Sequence, residues 1–289
     1  MMFTQMSWGK RNRLSQLIKP DGRCLMLAID HGYFMGSTTG MEQPTQATAP
    51  LIPHIDALML SPGILGPCID PQLPVGVVLR ASGGNTILAD DIDDEAYILS
   101  AKQAVMLNAS AIAINTYVGS EHSHQTIVNL TRAVQDASEY HLPVIGVTAA
   151  GKALADKKDK RYLTHASRLL AELGADLIKT YYTEGFEDIV TKCPVPIIVA
   201  GGPRLNSYRD VLEMTYNAVE RGAIGVDMGR NIWQSEFPGA IIQGVRAIIH
   251  DGMGIQEADD LVRSLSTPER RRDTRFEFTA DDDKLNKVH

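Results

Sequence analysis

A single (β/α)8 TIM barrel of the α/β class is what three features of this 289-residue sequence predict. Eight short apolar runs recur along the chain. They are continuous rather than alternating, as parallel strands covered on both faces read. Amphipathic segments with charged faces separate most of them.

The runs are CLMLAID (24–30), ALMLSPG (57–63), VGVVLRA (75–81), AIAINTY (111–117), PVIGVTA (143–149), ADLIKTYY (175–182), PVPIIVAGG (194–202) and AIGVDMGR (223–230). Helical periodicity fills the intervals in DDEAYILSAKQAVMLN, HQTIVNLTRAVQDASEY, RYLTHASRLLAELG, YRDVLEMTYNAVERG and PGAIIQGVRAIIH. The connection ILGPCIDPQLP is the exception, because its prolines leave little room for a full helix. An open doubly wound sheet is the competing architecture, although no GxGxxG follows the first run. The expected organisation is an N-terminal segment over 1–23, a barrel over 24–252, and a C-terminal helix and charged tail over 253–289. The tail, TPERRRDTRFEFTADDDKLNKVH, carries an Arg run, an Asp run and few apolar residues.

Composition narrows the function. A formal net charge of -7 argues against a nucleic-acid partner. The three cysteines are widely spaced and form no CxxC pair, which suits a reducing cytoplasm. No apolar run is long enough for a membrane span, and the basic start lacks an apolar signal core, so a soluble cytoplasmic protein is expected.

The most informative residue is Lys179. On strand parity Leu177, Lys179 and Tyr181 share one face, which places the lysine inside the barrel or under the helices. Lysine is almost never buried without a partner. Either a carboxylate pairs with it structurally, or it is a Schiff-base nucleophile whose proton affinity burial lowers. Its place near the C-terminal end of a strand favours the second, since barrel active sites lie on that face. Lys152 in TAAGKALADKK is the rival, in a loop expected to be hydrated.

The same rim offers further candidates. Asp30 closes the first run and could move protons during imine formation, or simply cap a turn; His31 follows it. Gly201 and Gly202 after the seventh run, with Gly229 and Arg230 after the eighth, suit a phosphate cradle of backbone N–H groups and a forked cation. His122 and His124 beside Glu121 form a weak metal half-site that also reads as a helix start, and no metal is assigned.

LAIDHGYF, VLRASGGN, NTYVGSEHSHQ, ADLIKTYY, PVPIIVAGG and GVDMGRNIWQS, in this order, resemble the archaeal-type class I aldolase family over roughly residues 12 to 250. The resemblance implies a barrel in a ring-based homo-oligomer, of which a decamer is one form. It also implies Lys179 as Schiff-base residue, Asp30 as acid/base, and Gly201, Gly202, Gly229 and Arg230 as phosphate ligands. The substrate it implies is a phosphorylated small-molecule ketone. Aldolases of this family carry a tyrosine at the end of the fifth strand; here the segment is GVTAAGK, with Thr148 or Ala149 in that place. A tyrosine-free segment is similar to the family's thiolase branch, which implies coenzyme A as a co-substrate rather than a bound cofactor. The alternatives are an aldolase or synthase on a phosphorylated ketose and a non-catalytic sugar-phosphate-binding protein.

Overall fold

The computed structural model describes residues 6–89, 92–149 and 159–266. Each of the eight apolar runs contains one barrel strand: β1 (Cys24–Ala28), β2 (Ala57–Leu60), β3 (Gly76–Arg80), β4 (Ala111–Thr116), β5 (Val144–Thr148), β6 (Leu177–Tyr181), β7 (Ile197–Ala200) and β8 (Gly225–Met228). All pairs are parallel, neighbours in the barrel are neighbours in the chain, and β8 closes on β1 through Cys24–Gly225 to Leu27–Met228. The open-sheet alternative is thereby excluded.

Strand parity divides the core in two. Met26, Met59, Val78, Ala113, Ile145, Val147, Leu177 and Ile198 fill the barrel interior. The intervening positions, such as Leu27, Leu58, Leu79, Ile112, Ile178 and Val199, pack outward under the helices. That two-sided burial is why the runs are continuously apolar.

Helices α1 (Trp8–Leu17), α2 (Ala101–Met106), α3 (Ser123–Glu139), α4 (Lys160–Glu172), α5 (Phe186–Lys192), α6 (Tyr208–Glu220), α7 (Pro238–Asp251) and α8 (Ile255–Leu265) are joined by short helical turns. In α1, within the N-terminal segment expected over 1–23, Leu14 and Leu17 are buried in the interior cluster and close its N-terminal end. Lys10 of the same helix pairs with Asp176 at 2.8 Å. The proline-rich connection after β2 holds a seven-residue helix, Pro62–Cys68, with Pro62 in its first turn where no N–H is needed.

One helical expectation fails in part. Of residues 93–108 only α2 is helical, started by Ser100 and Gln103, which cap one another reciprocally. Ahead of it Ala96–Tyr97 pairs antiparallel with Ser82–Gly83. Tertiary burial decides this: Asp93 and Glu95 are 4% and 2% exposed, and an extended path delivers Glu95 inward. The C-terminal tail, 267–289, lies outside the described residues.

Candidate active site

A cavity opens at the C-terminal ends of the strands, lined by side chains from both the barrel interior and the rim loops. Lys179 stands in it, on β6 between Leu177 in the interior core and Tyr181 on the cavity wall. Its Nζ lies 2.6 Å from Asp227 Oδ2 on β8 and donates to Met59 Sδ on β2 at 3.5 Å. The carboxylate contact is a close ion pair, and among the described residues no donor other than Lys179 meets either oxygen of Asp227.

This arrangement corrects one expectation. Burial alone would weaken the lysine's hold on its proton, but Asp227 and Asp30 together outweigh it and move the Lys179 pKa up. The resting side chain is an ammonium. Burial also raises the Asp227 pKa, against the pull of Lys179. Each partner therefore binds a proton more strongly than its free counterpart.

Asp30, just beyond β1, is 5% exposed and accepts from Arg80 Nη1 at 3.0 Å. Burial opposes its charge, yet Arg80, His31 and Lys179 hold its carboxyl down at about 2. It is a standing carboxylate at neutral pH. Arg80 in turn reaches Glu95 at 2.5 Å, and Glu95 also accepts from Ser82 Oγ at 2.6 Å and Tyr33 OH at 3.1 Å. Asn115 and Tyr117 of the β4 end close on the same carboxylate at 3.3 Å. His31 is driven down to about 3 by burial, with Arg230, Lys179 and Arg80 adding to the effect and Asp30 opposing it. It is a neutral imidazole with its ring edge on Trp233.

The opposite wall carries the glycines. Gly201 and Gly202 follow β7, Gly229 follows β8, and Arg230 begins a one-turn helix; all four line the cavity. Gly202 has φ +67°, where L side chains are strained, and a Cβ there would touch the Tyr181 ring at 3.5 Å. A Cβ on Gly229 would fall 2.6 Å from His31 Cε1 and 2.7 Å from the Ala28 carbonyl. Asn231 fastens the two loops together by donating to the Gly201 and Pro203 carbonyls and accepting from Leu205 N at 2.8 Å. Arg230 is 5% exposed, and burial lowers its pKa.

Lys179, Asp30, His31, Gly201, Gly202, Gly229 and Arg230 thus converge on one cavity. Thr148 borders it, but its hydroxyl donates to Thr180 Oγ1 at 2.7 Å and is occupied there. The inward positions at the end of β5 are Val147 and Ala149. His122 occupies the N-cap position of α3 without a side-chain capping bond and lies 3.7 Å from Asp94; among the described residues no three metal-ligating side chains cluster. Lys152 lies outside the described residues. Among the described residues, no helix is long and apolar enough to cross a membrane.

Asp227, Arg80 and Glu95 were not read from the sequence as site residues. Asp227 carried a usable signal, since it shares strand parity with Gly229 and interrupts an apolar run. Glu95 carried none, because its segment has helical periodicity.

A family model described as DeoC/LacD family aldolase matches residues 24–235. The chain is 46% identical over 261 residues to a protein of Escherichia coli (strain K12) named 3-hydroxy-5-phosphonooxypentane-2,4-dione thiolase, covering 90% of this chain and 88% of that one. A protein of the same name from Photorhabdus laumondii is 45% identical over 261 residues, with the same coverage. Among solved structures, an archaeal fructose-1,6-bisphosphate aldolase, with its catalytic lysine covalently bound to the carbinolamine intermediate of the substrate, is similar at 26% identity and a TM-score of 0.74. The similarity covers 83% of this chain and 99% of that one. The chain belongs to the DeoC/LacD aldolase family, and it is an enzyme of that family.

Proposed function

We propose that this enzyme cleaves 3-hydroxy-5-phosphonooxypentane-2,4-dione with coenzyme A, giving acetyl-CoA and dihydroxyacetone phosphate through an imine on Lys179. The observation that carries the reading is a lysine with only 13% of its side chain exposed at the C-terminal mouth of the barrel, facing carboxylates on one side and a glycine and arginine wall on the other. The names of relatives at 45% and 46% identity supply the substrate.

Lys179 condenses with the ketone next to the phosphorylated carbon, and water leaves. The thiol of coenzyme A adds to the acetyl carbonyl. The bond between that carbon and the hydroxyl-bearing carbon then breaks, and its electron pair moves into the iminium to give an enamine. Protonation of the enamine carbon and hydrolysis release dihydroxyacetone phosphate and restore the amine. Asp30, permanently ionised, balances the iminium charge and orients the hydrolytic water. Gly201, Gly202, Gly229 and Arg230 hold the phosphate and so fix the ketone against Nζ.

A second reading, an aldolase acting on a phosphorylated ketose, is supported by the likeness to the archaeal aldolase over 83% of the chain. Against it, Thr148 or Ala149 stands in the place where the family's tyrosine is expected, and the Thr148 hydroxyl is engaged by Thr180. We also assign a cytoplasmic setting, in keeping with three free cysteines, and a homo-oligomer, which would cover exposed apolar side chains such as Leu88 and Met106 at 93% and 77%.

The test is reductive trapping. Borohydride added with dihydroxyacetone phosphate should fix a ligand-sized mass on Lys179, and acetyl-CoA should form from the dione only when coenzyme A is present. An adduct elsewhere, or none, overturns the Schiff-base reading. Turnover without coenzyme A selects the aldolase.

A further inference from the structure

We infer that Asp227 is the proton carrier of imine formation: it takes a proton from the Lys179 ammonium so that the amine can attack, and returns it to expel water from the carbinolamine. The inference rests on the Schiff-base reading above and adds a catalytic residue to it.

The geometry singles out this carboxyl. Its Oδ2 is 2.6 Å from Nζ, the reacting atom, and among the described residues both of its oxygens are buried with no donor other than Lys179. A buried carboxylate is normally satisfied several times over, and one left unserved binds a proton readily. Asp30, the other nearby carboxylate, is committed to Arg80 at 3.0 Å. His31 is kept neutral by its burial and by the cations around it, which makes it a poor base. Among the described residues the titratable groups facing Asp227 are few. Lys179 and Asp30 act on it across the cavity, and β1 brings the Cys24 thiol on the side where Met26 pairs with Asp227. Burial keeps that thiol protonated, while β7 contributes Ala200 in register on the other side. The position is rigid, since the Asp227 carbonyl accepts from Gly201 N at 3.1 Å.

The step balances. The Nζ–H bond breaks toward Oδ2, leaving a neutral amine and a carboxylic acid. The nitrogen lone pair forms the C–N bond, the carbonyl π pair moves to oxygen, and a proton shift from nitrogen to that oxygen gives the neutral carbinolamine. Asp227 then protonates the hydroxyl, water departs, and an iminium beside a carboxylate remains.

The test compares rates of borohydride trapping of dihydroxyacetone phosphate on Lys179 in the wild type and in Asp227→Asn. A positioned base contributes about 10²-fold or more, so the variant should trap about 100-fold more slowly at pH 7 and recover as pH rises and hydroxide takes over. Asp227→Ala should be slow as well, and formate should restore its rate. A carboxylate that only held the lysine's charge predicts the opposite. Removing it would let burial weaken the lysine's proton affinity, and Asp227→Asn would trap as fast as the wild type or faster; that result overturns the inference. A measurement independent of folding variants uses the wild type, in which a carboxylic-acid infrared band should rise and decay with the carbinolamine at pH 7 as Asp227 takes and returns its proton. A spectrum without that band would also overturn it. Absence of any Lys179 adduct in the wild type would instead remove the Schiff-base reading itself.

Discussion

Asp56 and Asp227 are both nearly inaccessible, at 1% and 2% exposure, and both face a cation, yet the two ends of the barrel treat them differently. At the N-terminal end Asp56 accepts from Leu25 N at 2.7 Å, from Arg246 at 3.2 Å, and pairs with His250 Nε2 at 2.9 Å. Burial works against its charge, but these partners carry its pKa down. At the mouth Asp227 has, among the described residues, Lys179 as its one close cation, no further donor, and a pKa that burial raises. A carboxylate that is fully served holds strands and helices together. One left underserved keeps an affinity for protons that chemistry can use. The contrast matches the general division of labour in these barrels, with stability at one face and reaction at the other.

The largest effect should come from emptying the mouth of its cation. Lys179→Met should abolish the borohydride-trapped adduct and lower turnover by about 10⁴-fold or more, measured by acetyl-CoA formation. It should not lower the melting temperature, because Asp227 can take up a proton once its partner is gone, and a buried ion pair replaced by an apolar side chain is often neutral or stabilising. A clear fall in melting temperature would break the comparison, since the pair at the mouth would then be structural like that of Asp56.

Asp56→Asn is the converse experiment at the other end. It strips the charge from a site that His250 and Arg246 were built around, and breaking such a buried pair costs about 3 kcal/mol. Denaturant unfolding should register that loss, while the rate of Lys179 trapping in the folded protein stays at the wild-type value. If trapping falls with stability, the two ends are not independent.

The comparison also shows what was legible in the sequence. The eight strands could be read because both of their faces are buried, which leaves runs such as CLMLA and GVVLR with no polar alternation. Lys179 could be placed because a charge in such a run has only two directions to point. The phosphate wall followed from glycines at two successive strand ends. The partners of these residues were a different matter. His250 and Asp56 are 194 residues apart, and no local pattern links them. Glu95 lay hidden because residues 93–108 have helical spacing, while the pull of Arg80 and the Ser100 cap begin the helix only at Ala101. The direction of the Lys179 pKa needed Asp227, and so it could only be argued one-sidedly from burial. Lys152 and the charged tail fall outside the described residues.

A third prediction sharpens the mouth itself. Arg230→Ala should raise KM for the phosphorylated dione by about 30-fold, equivalent to about 2 kcal/mol for hydrogen bonds to a charged group. The unphosphorylated dione should bind the variant and the wild type alike. A KM effect shared by both substrates would mean that Arg230 shapes the cavity rather than holding phosphate.

The smallest effect, and the most specific to the stabilising end, is a pH dependence. His250 bridges Asp21 at 2.6 Å and Asp56 at 2.9 Å. Burial pulls its pKa down, but the two carboxylates outweigh it and raise the folded value above 6.5. A raised folded pKa means that the imidazolium's contribution is complete below pH 6.5 and is lost as pH rises through the folded value. Asp21 and Asp56 are lowered from 3.8, so their share is lost as pH falls below that value toward their folded pKa values. His250→Gln should therefore cost about 2 kcal/mol at pH 5.5 and much less at pH 9, read from urea midpoints of the two proteins. Equal costs at both pH values would mean that the imidazole's shape, and not its charge, holds Asp56, and the contrast with Asp227 would then rest on hydrogen-bond count alone.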